Sequence, residues 1–343
     1  MINSNDVKKK IKTREKECLM LRIGFFISIF SAVFCSSCTE ESKIRDEVLD
    51  ISVTLKVERF DQAFRNANQQ KLIGLKQKFP FLFSSGVPDS IWLAKAKDTL
   101  QIEITKEVEK KFDTSQEQWL QAEAKLLLQH IKYYFPKIPV AERLITVTNN
   151  VDYRNKVVVT DSLILIALDT YLGEDHYFYD GMQVFLKKNF EPDQIIPDIA
   201  TAYAKRIVPP QGSRIFVERM VEYGKELYFK QMVLPNTPAH TLLGYTESEY
   251  KWALDNESYI WRYFIEKELL YSTDTKLIKR FLHPAPFSKF YLEFDAETPD
   301  RLGQFIGWQI MKAYVKKSEN NFPAIIYEAS AKVFKQSRYK PKD

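Results

Sequence analysis

Arg301-Leu-Gly-Gln-Phe-Ile-Gly-Trp-Gln-Ile310 is the stretch on which the fold turns. Leu302, Phe305, Ile306 and Ile310 recur at three- and four-residue spacing, which places them on one face of an α-helix. Gly303 and Gly307 stand four apart on the same helix. A mid-helix glycine costs about 1 kcal/mol against alanine, and close approach of a second helix accounts for that cost better than ligand contact. The stretch therefore reads as a helix held tightly against another helix. Thr298-Pro299-Asp300 predicts its start, with an N-cap, a proline at the first helical position and an acid in the first turn. Lys316 and Lys317 suit its carboxyl end.

Working outward, the same periodicity fills the second half of the chain. Pro192-Asp193 opens a helical segment to Arg206, which Pro209-Pro210 ends. Ile215, Phe216, Met220, Leu227 and Tyr228 mark another helix, and Thr246-Glu-Ser-Glu249 is a capping box ahead of Trp252 and Leu254. In the first half, Ser115-Gln-Glu-Gln118 reads as a capping box before Trp119, Leu120, Leu126, Leu127, Ile131 and Phe135. Strands are few. Residues 51–60 alternate with period two, and 144–148, 157–160 and 163–167 predict a hairpin with a neighbouring strand. No repeat or Gly/Ser linker divides the chain. The expected fold is α+β, mainly helical with a small sheet, in a single globular domain over residues 51–343.

The formal charge of +5 suggests nucleic acid until it is located. Residues 1–37 hold seven basic and three acidic side chains, leaving 43 basic and 42 acidic in the remainder, so no electrostatic footprint for nucleic acid exists. The excess belongs to a basic stretch before the apolar run Ile23–Phe34, which is shorter than the roughly 20 residues that span a bilayer. Basic region, short apolar run and small residues are the order of a secretory signal over residues 1–37. Met20-Leu-Arg would itself serve as a compact signal start, which makes residues 1–19 an extension. Cys38 follows Ser36-Ser37 and is similar to a bacterial lipobox cysteine, with Cys35 where that pattern usually has leucine. The expectation is cleavage before Cys38, fatty acylation (palmitate) of that residue, and a flexible polar tether over residues 38–50. Cys18 and Cys35 lie in the removed segment, so no disulfide and no cysteine-based metal site is expected in the mature chain.

Familiar reaction motifs are missing. His130, His176, His240 and His283 lack a second ligand at helical spacing, and no Gly-x-Ser-x-Gly, P-loop or dinucleotide turn is present. Neither a catalytic residue nor a cofactor nor a metal is indicated. What stands out instead is a series of polar-aromatic stretches: Arg59-Phe-Asp61, Glu222-Tyr-Gly-Lys-Glu-Leu-Tyr228, Leu243-Gly-Tyr-Thr246, Asn256-Glu257, Trp261-Arg262, Pro286-Phe-Ser-Lys-Phe290 and Arg301–Ile310.

In this combination and order, from the lipobox to Ser337-Arg-Tyr-Lys-Pro341, these stretches resemble the gliding motility-associated lipoprotein family GldB of Bacteroidetes. The resemblance implies a component needed for gliding and for the associated type IX secretion machinery, lipid-anchored at the inner or outer membrane and facing the periplasm. It supplies no reaction. Glu222 before Tyr-Gly, with the later Gly-x-x-x-Gly-Trp helix, is also similar to the back half of some zinc-dependent peptidases. The segment Asp198–Arg206 has neither of their histidines, which implies a degenerate zincin-like scaffold with Glu222 as a relic. The leading expectation is a scaffold acting through protein contacts. The alternatives are a metallopeptidase-like hydrolase with a non-obvious site and a peptide or glycan binder in a relict cleft. Lys225, Trp261, Lys289, Arg301, Tyr223 and Asn256 are the candidates for one shared patch. Glu222 and Lys225 also suit ordinary pairing on a solvated face, and Arg59, Asp61, Lys289 and Arg301 suit buried salt bridges.

Overall fold

The computed structural model describes residues 46–341. Its first half runs α1 (Asp46–Leu49), β1 (Lys56–Arg59), α2 (Phe60–Arg65), α3 (Gln69–Lys78), α4 (Asp89–Ala96), α5 (Thr99–Lys111), α6 (Thr114–Tyr134), β2 (Arg143–Val147), β3 (Val157–Val159) and β4 (Leu163–Ala167). The second half is helical: α7 (Val184–Lys187), α8 (Ile195–Ile207), α9 (Phe216–Val233), α10 (Ala239–Leu243), α11 (Glu247–Asp255), α12 (Glu257–Glu266), α13 (Lys276–Phe281), α14 (Leu302–Val315), α15 (Phe322–Tyr327) and α16 (Ser330–Ser337). Helix at 58% against strand at 6% makes this a mainly helical α+β fold with a small sheet, as expected. Among the described residues no helix is long and apolar enough to cross a membrane. The signal segment and Cys38 lie outside the described residues.

The strands order β1-β2-β4-β3. β1 runs parallel to β2 and β2 parallel to β4, while β3 returns antiparallel along β4 with Val158 opposite Leu165. The hairpin is therefore β3–β4, turned where the Thr160 hydroxyl accepts from the backbone N–H groups of Ser162 and Leu163. Asn149 and Asn150 lead β2 out of the sheet, and the buried Asp169 carboxylate accepts from the N–H groups of Asn149 and Val151 to hold that exit. Neighbouring residues of β2 meet different layers, as the pleat requires. Ile145 joins Phe64, Leu72, Leu75 and Phe79 from α2, α3 and the turn beyond, whereas Leu144 joins the main core with Leu127, Ile131, Ile199 and Ala200.

The glycine reading is realised in the contact between α9 and α14. A Cβ on Gly307 would fall on the Met220 carbonyl, and one on Gly224 would fall on the Gly307 carbonyl, so the two helix backbones touch. Gly303 abuts Phe281 and Leu282 in the same way. Fully buried Val217, Phe305, Ile306 and Ile310 fill the flanks of this crossing. Arg59 and Asp61 do pair, at 2.7 Å, and Arg59 also donates to the Phe112 carbonyl at 2.9 Å, tying β1 to the end of α5.

Several boundaries differ from expectation, each for a physical reason. Residues 46–50 of the expected tether are packed: Val48 is buried, and Gln129 of α6 donates to the carbonyls of Leu49 and Ile51. Only Lys56–Arg59 of the alternating run finds a ladder partner, although Val53 and Leu55 are buried in phase with it. The cap of α6 is Asp113, whose carboxylate accepts from the Gln116 N–H, and not Ser115; the box at Thr246 and Glu249 is formed as expected. Thr298-Pro299-Asp300 does not begin α14. The Thr298 hydroxyl bonds the Ser288 carbonyl, and the helix starts at Leu302, whose N–H reaches the Ser288 hydroxyl at 3.1 Å.

Candidate functional site

α8 and α9 pack side by side, and α10, the start of α14 and the residues before β3 close around them to leave a cleft of about 540 Å³. Helical spacing determines which side chains enter it. From α8 come Asp198, Thr201 and Lys205, at i, i+3 and i+7, and from α9 come Tyr223, Glu226, Leu227 and Lys230, at i, i+3, i+4 and i+7. Lys156 and Tyr153 face them from the turn before β3, and Arg301 and Gln304 from α14.

One wall of the cleft is internally satisfied. Lys156 pairs with Asp198 at 2.6 Å and lies 5.2 Å from the Tyr171 ring centroid. The buried Tyr171 hydroxyl donates to the same Asp198 carboxylate at 2.8 Å, so desolvation and this neighbouring charge push the phenol well above its usual range.

The opposite wall keeps bonding capacity in hand. Lys230 is 7% exposed, and its ammonium donates to the Leu242 carbonyl at 2.5 Å, leaving two of its three donors uncommitted. Burial pulls this lysine down to about 8. Glu226, one helical turn away, makes no hydrogen bond or ion pair with any described residue, and desolvation raises its carboxyl. Arg301 completes the group from a left-handed backbone, φ 53°, which is costly for a side chain of its size. Three interactions hold it there: Nη1 to the Leu243 carbonyl at 2.7 Å, Nη2 to the Gly244 carbonyl at 3.0 Å, and Nε to Asp300 at 2.9 Å. The arrangement offers uncommitted N–H donors and a carboxylate acceptor within one polar recess.

The expected patch does not come together as one surface. Tyr223 and Arg301 share this cleft. Asn256 instead lines a separate apolar groove of about 250 Å³ with Trp252, Tyr259, Tyr263 and Phe290. Trp261 is buried, its ring edge-on to Tyr339, and Lys289 is exposed and outside both recesses. Lys225 is fully buried and donates to the Glu328 carbonyl, because α14 and α16 cover the face of α9 on which it stands. The solvated-face reading of Glu222 and Lys225 is therefore corrected: Glu222 is buried as well and pairs with Arg219. It is Glu226, and not Glu222, that faces Asp198 and Lys205 across the cleft. Lys289 joins no salt bridge with a described residue, whereas Arg301 pairs with Asp300.

Sequence reasoning missed Asp198, Glu226 and Lys230 as site residues. The usable signal was the Tyr223, Glu226, Lys230 stripe at i, i+3 and i+7, parallel to the apolar stripe of the same helix. Among the described residues, no three His, Cys, Asp or Glu side chains are grouped so as to share a metal ion. His130 bonds the Leu126 carbonyl, and His176 lies 3.3 Å from Glu107.

No curated protein and no solved structure matches the chain. Residues 41–341 match the family described as gliding motility protein GldB, which spans the sheet, the helical half and every residue of the cleft. The chain belongs to the GldB family of gliding motility lipoproteins.

Proposed function

We propose that this lipoprotein serves gliding, and the type IX secretion machinery associated with it, by binding a partner and not by catalysing a reaction. Held at the inner or outer membrane through Cys38 and facing the periplasm, it grips a short segment of another machinery protein in the cleft between α8 and α9. The observation that carries this reading is Glu226, with no hydrogen bond or ion pair to a described residue, beside Lys230 with donors to spare. A buried or half-buried charge left in that state costs stability, which binding of a complementary group would recover. An extended peptide presents such groups in alternation, carbonyls for Lys230 and N–H groups for Glu226. About 540 Å³ is in the range of sites that enclose a few residues.

Glu226→Gln tests the reading in cells, since it keeps the side chain's shape and removes its charge. The expected result is loss of cell spreading and of surface-adhesin export at an unchanged level of the protein by immunoblot. Unimpaired spreading would exclude the cleft. Spreading lost only in proportion to protein level would make Glu226 a structural residue.

A further inference from the structure

We propose that the basic groove between the carboxyl end of α14 and α16 docks onto anionic phospholipid headgroups of the membrane to which the chain is tethered. This rests on the lipid anchor at Cys38 and is independent of the cleft. The groove, about 680 Å³, is lined by Lys317, Lys332, Lys335 and Arg338, with Glu319 as its one acidic lining residue. All four cations are exposed. Beyond residue 37 the chain has 43 basic and 42 acidic side chains, so this excess is local.

Internal pairing and helix capping do not absorb it. Lys332 pairs with Glu328 at 2.6 Å and Lys317 donates to the Ser337 carbonyl, but Lys335 and Arg338 make no ion pair with any described residue. A helix end favours Lys335 on α16 alone, since α14 ends at Val315, before Lys317. It disfavours Lys332, which sits in the first turn of α16.

A relay of side-chain contacts connects the first described helix to the segment that leads into the groove. Glu47 of α1 accepts from the Tyr133 hydroxyl at 3.5 Å. Tyr133 stacks edge-on to Tyr134 at 5.0 Å between centroids, and Tyr134 to Phe322 at 4.9 Å. Phe322 is two residues beyond Asn320, which lines the groove. From Cys38 to Asp46 the chain has eight peptide steps, a reach of about 28 Å at full extension. A lipidated Cys38 therefore keeps Asp46 within that distance of the headgroup layer. There each lysine or arginine strengthens attachment to anionic lipid by about five-fold.

The test uses the lipidated protein in vesicles of phosphatidylglycerol with phosphatidylcholine, and in vesicles of phosphatidylcholine alone. Hydrogen exchange is read at the amides of residues 316–320 and 330–337. Protection is expected only with phosphatidylglycerol and should vanish at high salt. In Lys335→Gln/Arg338→Gln the docking equilibrium should weaken by about 25-fold, with the thermal melt in detergent unchanged, since both side chains are exposed. Equal exchange in the two vesicle types, or full protection in the double variant, would overturn the proposal. So would protection produced by inorganic phosphate on phosphatidylcholine vesicles, which would make the groove a soluble-phosphate site. Failure of the anchor reads differently: the protein would then not co-float with either vesicle and would carry no fatty-acid label.

Discussion

Replacing Lys230 by methionine should leave the protein at least as stable while abolishing gliding. Lys230 is buried on α9, and its ammonium is pulled from 10.5 down to about 8, first by desolvation. At about 1.4 kcal/mol per tenfold change in acidity, keeping it charged in the folded state near neutral pH costs about 3 kcal/mol. Methionine fills nearly the same volume without charge and removes that cost. Against this stands the Leu242 carbonyl, which loses its donor at a penalty of about 1–3 kcal/mol. The net expectation is a change between about zero and a gain of 2 kcal/mol, measured by urea unfolding at pH 7. The pH dependence supplies a second check. A folded-state value below the unfolded one means the cost is fully present below about pH 8 and is relieved as pH rises towards 10.5. Lys225 and Lys312, each also near 8, and the buried tyrosines, whose raised values act in the opposite sense, are common to both proteins, so the stability difference between variant and wild type should narrow over that window. A loss of more than about 2 kcal/mol at pH 7, or an unaltered pH slope, would refute the reasoning. The lysine would then be a structural post and not a group waiting for a partner.

Gly307→Ala should destabilise by about 1–3 kcal/mol despite alanine's better helix propensity, because the new Cβ meets the Met220 backbone and no rotamer can relieve it. Gly74→Ala, in α3 with nothing near its missing Cβ, is the control and should raise the denaturant midpoint. Cys38→Ala should abolish labelling by a fatty-acid analogue; label retained on that variant would place the anchor elsewhere.

The helical half was legible because its signals are local. Gly303 and Gly307 need a close helix wherever that helix comes from, and Thr246 caps its helix through Glu249, three residues away. The misjudged boundaries turn on distant groups. Asp300 looks like first-turn chemistry, yet it is committed to Arg301 and, at 3.7 Å, to Lys188, so the helix must begin after it. Residues 46–50 look solvated, yet Gln129, some 80 positions away, donates to the carbonyls of Leu49 and the adjoining Ile51. Which of the three runs make the hairpin was left open by spacing, and the exit of β2 is held by Asp169 gathering N–H groups from a turn about 20 residues upstream.

The site was less legible for a reason specific to α9. Its charged residues fall on two stripes, Glu222 with Lys225 and Glu226 with Lys230, and spacing treats them alike. Which stripe is sealed depends on α14 and α16, far downstream in sequence, which close over Lys225, with the Glu328 carbonyl 103 residues away accepting from it. Buried lysines are therefore not markers by themselves. Lys225 is held by a carbonyl in a packed interface, and Lys312 lies over the Trp308 ring at 4.4 Å, where cation–π attraction offsets part of its desolvation. Lys230 shares their lowered pKa but opens on a recess beside an acid that pairs with no described residue, and it is that position which separates a binding lysine from a structural one.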